Sequence, residues 1–434
     1  MKKYASTYNL IVAGGGLAGV SSAIAAAREG CKVLILERYS FLGGCATASL
    51  VTPMMKNNDS SGNPLNTGLY TEILGKLAQT KNAAKHPDGN PGWFNPEKLK
   101  FILDDMCEEA GVNILFDTFV AGAEKEGNKI VSINCVNKAG IEKYHATFFI
   151  DATGDADLAA SAGVEFEADK HQSMTLRFIM DNVNLYKFSN WLTDIEPEMA
   201  MSSVEYVDCD TVLLTTAHTS EDVGWKLRPY INLAIRDGVI KPEDAEYFQV
   251  FTIPGQKNAV AFNCPRIYSS TPLNPLDPWD ISYAYRQGRK QIKRIVKFCR
   301  KYLVGFEEAY ISQVAPSLGI RDSRRIDGIY QLTEEDISNN KKFQNSSAKS
   351  NYPFDIHGKE KDVNEIMRRN EKNYYDIPIE ALIPKNVSNL MVVGKCLSAT
   401  FKAQSSARIM PNCIAMGESA GKAFAIRLKS GEFA

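Results

Sequence analysis

The chain has little surplus charge of either sign, no long apolar run and no clustered cysteine. Its 50 Lys and Arg residues face 51 Asp and Glu, a formal net charge of −1. That balance excludes the general electrostatic pull of a protein made for nucleic acid or an acidic membrane. No stretch approaches the roughly 20 apolar residues that a membrane-spanning helix requires. Nine cysteines (31, 45, 107, 135, 209, 264, 299, 396 and 413) are scattered without a CxxC pair. Neither a disulfide framework nor an iron–sulfur or zinc site is expected, and no metal ligand set. The expected setting is reducing and cytoplasmic. The first residues (MKKYASTYNLIV) run straight into an apolar strand, leaving no room for a secretion signal. What remains is a chain of 434 residues, 44% apolar, long enough for two or three domains.

The organising stretch is the first fifty residues. Tyr8–Ala13 read as a buried strand, Gly14, Gly15 and Gly16 as a turn, and Leu17–Arg28 as a small-residue helix packed tightly on a sheet. Lys32–Leu36 make a second strand with Glu37 at its C-terminal end. Gly14-x-Gly16-x-x-Gly19 therefore sits where a dinucleotide fingerprint must, with an acid about 20 residues on. Gly14 permits the tight turn, Gly16 lets backbone N–H groups at Leu17 and Ala18 approach a pyrophosphate, and Gly19 lets helix and strand close up. The helix N-terminus brings partial positive charge to the phosphates, and Glu37 can accept from the adenosine ribose hydroxyls. After Glu37 and Arg38 comes Gly43-Gly44-Cys45-Ala46, where an NAD domain would enter its next helix. The Gly-Gly loop instead resembles flavoproteins built like glutathione reductase, in which it runs beside pyrophosphate and flavin. FAD is expected over NAD.

Further along, residues 54–95 are polar and turn-rich and read as an insertion over the cofactor site, outside the core. Asn95-Pro96-Glu97 open an amphipathic helix to Ala110, and Val112–Phe116 a third strand. Thr118–Ala123, Lys129–Val136 and Glu142–Ile150 read as a β-meander. Between Ile281 and Leu303 an amphipathic helix puts Ile281, Tyr285, Ile292, Ile295, Cys299 and Leu303 on one face and a solvated basic set on the other. Residues 339–351 read as a mobile polar loop. Leu390–Val393 read as a buried strand, and Pro411–Leu428 as the last helix. The expected fold class is α/β: a Rossmann-like FAD-binding domain with a β-meander, plus an inserted α+β substrate or cap domain. Its expected parts are 1–171 (with the insertion at about 54–95), 172–309 for the cap, and 310–434 returning to the FAD-binding domain.

Four motifs together carry a family resemblance. They are the fingerprint through Gly44; Asp151-Ala-Thr-Gly154-Asp155-Ala-Asp157; Pro316-Ser-Leu-Gly319-Ile-Arg321-Asp-Ser-Arg324-Arg325; and Asn389–Gly394 through Met410-Pro411 to Gly421. The chain resembles the FAD-dependent oxidoreductases that include the flavin-binding part of heterodisulfide reductase. The resemblance spans most of the chain and is weakest between about 180 and 310. The cysteine clusters that hold iron–sulfur centres in that reductase are missing, which puts cluster chemistry and bifurcation out of reach. The resemblance implies that Met410, Pro411 and Asn412 present a helix N-terminus to the flavin N1/C2 carbonyl, where reduced flavin is negative. Gly394 lets the backbone approach the pyrophosphate or ribityl chain, Thr153 and Gly154 end a strand beside the adenosine half, and Val120 is the expected backbone contact to adenine. Lys395 stands where many flavoproteins carry an Asp for the ribityl hydroxyls.

For catalysis, Asp355-Ile-His357 stands out, because i and i+2 of an extended segment face one way. In the functional reading Asp355 raises the imidazole pKa and His357 takes a proton; in the bland one both belong to a surface turn. Arg408, just before the last helix, can steady an anionic flavin or orient a substrate. Arg321, Arg324 and Arg325 either bind an anionic substrate or form structural ion pairs. Cys45 lies where disulfide reductases place a redox cysteine, but the partner position is Leu50, so packing beside the flavin is the plainer reading. His86, His145, His171 and His218 look bland. The expected activity is hydride transfer between a small organic substrate and flavin N5, with a flavin-bound electron-transfer subunit serving a protein partner as the alternative. No second GxGxxG is present for a built-in NAD domain. The external electron acceptor or donor is unspecified, and the reading leaves room for a homo-oligomer.

Overall fold

The computed structural model describes residues 7–86, 89–169, 172–199, 201–208, 211–219, 224–357 and 373–431, with the side chains of 218 and 219 excepted. His171 lies outside them.

Thr7–Ala13, Val33–Leu36, Asn113–Leu115, the second half of Gly140–Asp151 and Leu390–Val392 make the parallel part of a seven-stranded sheet. Leu10, Ile11, Val12 and Ala13 are fully buried, as parallel strands covered on both faces must be. The strand Gly140–Asp151 has two jobs. Its first half pairs antiparallel with Lys129–Asn137, which pairs with Phe119–Glu126, so the meander grows out of the same sheet. Its second half aligns Phe148 with Leu10 and Asp151 with Ala13, delivering Asp151–Asp155 to the C-terminal edge beside the fingerprint turn. Ligands of open α/β sheets bind at this edge.

The fingerprint helix, Leu17–Arg28, lies against the closing helix, Met410–Lys429. Small residues permit the contact. A Cβ on Gly417 would fall 2.1 Å from the Ala18 carbonyl oxygen, and one on Gly421 2.3 Å from that of Ser22. The small-residue character of the first helix thus has a cause in the last one, and the close approach aims the Met410 end at the fingerprint turn.

A second sheet of six antiparallel strands runs Ser202–Asp208, Thr211–Thr219, Tyr247–Thr252, Val260–Phe262, Phe178–Asp181 and Tyr310–Val314. Helix Pro278–Tyr302, capped by Asp277 through the Trp279 N–H, packs Ile292, Ile295, Phe298 and Cys299 on it. Phe178 stacks on Phe262 at 4.2 Å in the same core, each ring contributing about 1.5–3 kcal/mol by burial.

Two expectations are corrected. Residues 54–95 are part of the main core: Met54, Leu69, Tyr70, Ile73, Leu77 and Phe94 are buried in it. The polar look of the segment misleads because its asparagines are buried in pairs, Asn57 and Asn66 each donating to the Lys349 carbonyl at 2.9 Å and to Asn412 Oδ1 at 3.1 Å. Residues 339–351 contain a strand, Ser346–Ser350, paired with Tyr375–Pro378. Its serines are tolerated inside because their groups are engaged, Ser347 donating to the Ile377 carbonyl at 2.8 Å.

Candidate functional site

Two cavities meet at the sheet edge. The first is a cleft along the fingerprint, lined among others by Gly14, Gly16, Leu17, Ala18, Glu37, Arg38, Gly43, Gly44, Cys45, Ala46, Val120, Thr153, Gly154, Gly394 and Met410. Three expected contact residues stand behind it. Gly19 is a packing glycine, since its Cβ would lie 2.0 Å from the Gly14 carbonyl oxygen. Pro411 and Asn412 are buried. The N–H of Asn412 is not free for a ligand, because it donates to the Ile409 carbonyl at 3.0 Å, as does that of Cys413. The side chain of Asn412 instead anchors Asn57 and Asn66.

The cleft has the form of a dinucleotide cradle. Gly14 holds φ +102°, and a Cβ there would strike the Ala152 carbonyl oxygen at 2.4 Å. Gly16 is different: φ is −67°, and a Cβ would meet nothing closer than Gly44 Cα at 3.8 Å. The protein's own packing does not require glycine at 16, whereas a pyrophosphate against the backbone does. The residues present therefore fit FAD. Glu37 is buried; it accepts from the Gly15 N–H at 2.6 Å and the Tyr39 N–H at 2.8 Å. Burial pushes its pKa up, against those two bonds. It braces the turn and retains lone pairs toward the cleft. Asp151, fully buried, accepts from Thr153 N–H and Oγ1 and from the Ala159 N–H at 2.7–2.9 Å, and burial lifts its pKa to about 6. Lys395 pairs with Asp155 at 3.0 Å, which holds the Asp155 carboxyl below its ordinary range despite burial.

The second cavity, about 320 Å³, lies against the second sheet, with Tyr247 and Gln249 of that sheet in its wall, within the roughly 300–1,000 Å³ of small-molecule sites. It shares Cys45, Ile320, Lys395, Arg408 and Met410 with the cleft. Asp355 and His357 both line it, with Nε2 2.9 Å from Oδ1, so the i, i+2 pairing is realised. Arg408 Nη2 donates to the Asp355 carbonyl and to Oδ2, each at 3.1 Å. The environment corrects the expected shift. Burial comes first, and the Arg321 and Arg266 cations add to it, so the imidazole pKa falls to about 4 although Asp355 pulls the other way.

The three arginines of the central motif separate. Arg321 lines the cavity and donates to the Ser173 carbonyl at 2.6 Å and Thr175 Oγ1 at 3.0 Å. Arg324 is structural, bonded to the Asp155 carbonyl and Asp157, and so is Arg325, bonded to Glu167 and Asp169. Sequence reasoning missed Arg177, Tyr247, Arg266 and Tyr352. Arg177 left a trace, the single charge within the apolar run MTLRFIM.

Residues 9–433 match the family described as FAD dependent oxidoreductase. Among solved structures, a geranylgeranyl bacteriochlorophyll reductase-like protein from Thermoplasma acidophilum is 15% identical with a TM-score of 0.50, over 99% of this chain and 80% of that one. The p-nitrophenol 4-monooxygenase PnpA of Pseudomonas putida is 10% identical with a TM-score of 0.48, over 98% and 81%. The tRNA uridine 5-carboxymethylaminomethyl modification enzyme MnmG of Wolinella succinogenes is 31% identical over 112 residues, 23% of this chain and 17% of that enzyme. The chain thus spans under a fifth of the length of that curated relative.

Proposed function

The chain belongs to the FAD-dependent oxidoreductase family, and from that premise we propose that it moves a hydride between a small organic substrate in the second cavity and the flavin. One observation carries the reading: the two cavities meet at Cys45, Ile320, Lys395, Arg408 and Met410, so a molecule in one abuts a cofactor in the other. FAD supplies, when bound, a two-electron acceptor that takes hydride at N5 from a C–H bond or returns it. Gly14, Gly16 and the first N–H groups of the fingerprint helix hold the pyrophosphate. Glu37 and Val120 would hold the adenosine half with Thr153 and Gly154 beside it, and Gly43–Ala46 and Gly394 would line the path to the flavin. Residues 172–309 serve as the cap.

Arg408 orients the substrate at the junction, and Asp355 holds Arg408. His357 is a positioning residue in this arrangement, because its two ring nitrogens are engaged by Arg266 and Asp355. It accepts no substrate proton unless Arg266 first leaves. The walled cavity favours turnover of a small molecule over service as an electron-transfer subunit.

Anaerobic mixing of the yellow protein with alcohols, sugars, amines and hydroxy acids tests the proposal. Bleaching of the flavin by at least one small molecule alone is the expected result. Bleaching only in the presence of a protein donor would favour the electron-transfer alternative.

A further inference from the structure

The charge of the second cavity is lopsided. Arg177, Arg321, Arg408 and Lys395 line it, and Asp355 is the one carboxylate among its lining residues. That carboxylate is already shared between His357 and Arg408, and Lys395 is committed to Asp155. Arg266 stands behind, against His357. Arg177 and Arg321 meet only neutral acceptors among the described residues: the Leu50 and Thr52 carbonyls for one, the Ser173 carbonyl and Thr175 hydroxyl for the other.

Removing a guanidinium from water costs several kcal/mol, and carbonyl acceptors return only part of it. Burial comes first, and the neighbouring Arg266, Arg408 and Arg177 add to it, so the pKa of Arg321 falls to about 9 although Asp355 pulls the other way; one carboxylate does not balance the cations around it. The geometry leaves room for an acceptor as well. Among the described residues, the bonds of Arg177 and Arg321 to the protein run through Nη1, so the remaining edge of each planar fork can take a two-oxygen acceptor. The buried Nε atoms of Arg408 and Arg266 have no acceptor among the described residues. A structural role would account for the Nη1 bonds but not for three guanidinium groups, those of Arg177, Arg321 and Arg408, in one wall that holds a single carboxylate.

The rest of the wall mixes apolar side chains with neutral polar ones such as Asn90, Gln249 and Asn263. Val51, Met55, Trp93, Ile320 and Met410 supply the apolar part, and a volume of about 320 Å³ leaves space for a carbon skeleton beside the charged group.

Resting on the hydride-transfer reading above, we infer that the substrate is a small organic oxyanion, a carboxylate or phosphate monoester, whose charged group is held by Arg321 and Arg177 while its carbon skeleton reaches the Arg408–Met410 junction. Arginine here sets specificity: a neutral analogue leaves the same guanidinium groups without an anionic partner.

The test uses the FAD-loaded protein under anaerobic conditions. Succinate is compared with succinamide, and glycerol 3-phosphate with glycerol; the first pair reads a carboxylate, the second a phosphate ester. Binding is followed by perturbation of the flavin spectrum and by equilibrium dialysis, independently of bleaching. At least one anion is expected to bind about 10-fold or more tightly than its neutral partner, with affinity falling as salt rises. Arg321→Gln should weaken that anion by about 10-fold or more at unchanged FAD content, and Arg321→Lys should restore part of the loss. The salt dependence and anion preference of the wild-type protein stand even if the Gln variant fails to fold. Equal affinity for charged and neutral members, or no spectral response to any anion up to about 10 mM, would overturn the inference. An anion that binds but never bleaches the flavin would leave this inference standing and refute the hydride reading. A neutral compound that bleaches it while no anion binds or competes would do the reverse.

Discussion

Arg266 Nη2 lies 2.9 Å from His357 Nδ1, and this contact fixes the tautomer of the imidazole. A guanidinium has no acceptor, so Nδ1 must accept. The proton then sits on Nε2, which donates to Asp355 Oδ1 at 2.9 Å. The pair foreseen from the i, i+2 spacing exists, but it is locked from both sides, and the imidazole is neutral at pH 7.

The first prediction concerns pH. With a pKa near 4 in place of the ordinary 6.5, His357 stays neutral from about pH 5.5 to 8. Substrate-driven flavin reduction should therefore show no ionisation near 6.5 assignable to this residue. The unfolded chain binds this proton below about 6.5 and the folded chain only below about 4. The associated stability is thus fully present above 6.5 and is lost as pH falls to 4, at most on the order of 3 kcal/mol. Denaturation midpoints of the wild type should fall over that window more steeply than those of His357→Gln; parallel curves would refute the assignment.

At the cradle, Gly16→Val should lose flavin and keep the fold. Its backbone, at φ −67°, accepts an L side chain, and the space in front of it is free of close protein atoms. Flavin content should fall at least about 10-fold, with a melting temperature close to that of the flavin-free wild type. Gly14→Val should instead unfold the chain, because φ is +102° and the Ala152 carbonyl oxygen is 2.4 Å away. Normal flavin in the Gly16 variant would displace the pyrophosphate from this position.

Lys395 and Asp155 should behave as one unit. Their side chains are 13% and 18% exposed at a separation of 3.0 Å. Lys395→Met leaves a carboxylate inside without its cation, at a cost of about 3 kcal/mol. Adding Asp155→Asn should recover most of it. Additive losses in the double variant, read by chemical denaturation, would show that the pair is not coupled.

Cys45 should prove chemically dispensable. It is exposed at the junction of the two cavities, and Leu50, where a partner cysteine would stand, is buried in the second core. Cys45→Ala should reduce its flavin within about 2-fold of the wild-type rate in stopped-flow mixing. A loss of about 10²-fold or more, or flavin covalently retained by the wild type alone on denaturation, would assign the thiol a chemical role.

Local rules accounted for the cofactor half. Strand, glycine turn, small-residue helix and acid are read within forty residues, because each expresses short-range geometry: the φ of Gly14, the absent Cβ of Gly16, and the alternation that made the meander visible. The helix beginning at Pro96 was legible because asparagine followed by proline is a start signal that acts locally. The long helix reads from its amphipathic pattern as starting at Ile281 and in fact starts at Pro278 behind the Asp277 cap. The segment at 54–95 was misjudged for the complementary reason. Its asparagines are buried only because Asn412 and the Lys349 carbonyl, nearly 300 or more residues away, satisfy them. The same limit applied to Arg321, Arg324 and Arg325, three like residues in one motif whose partners alone distinguish them.

The sequence by itself determined the dinucleotide cradle, the α/β class and the nearness of Asp355 to His357. Only the tertiary structure decided the sign of the histidine's pKa shift and the cationic character of the second cavity. The first depends on burial with Arg321 and Arg266 beside the imidazole, the second on Arg177, Arg321 and Arg408 meeting from distant segments. In both, desolvation and charge outweigh the local pairing that spacing can reveal.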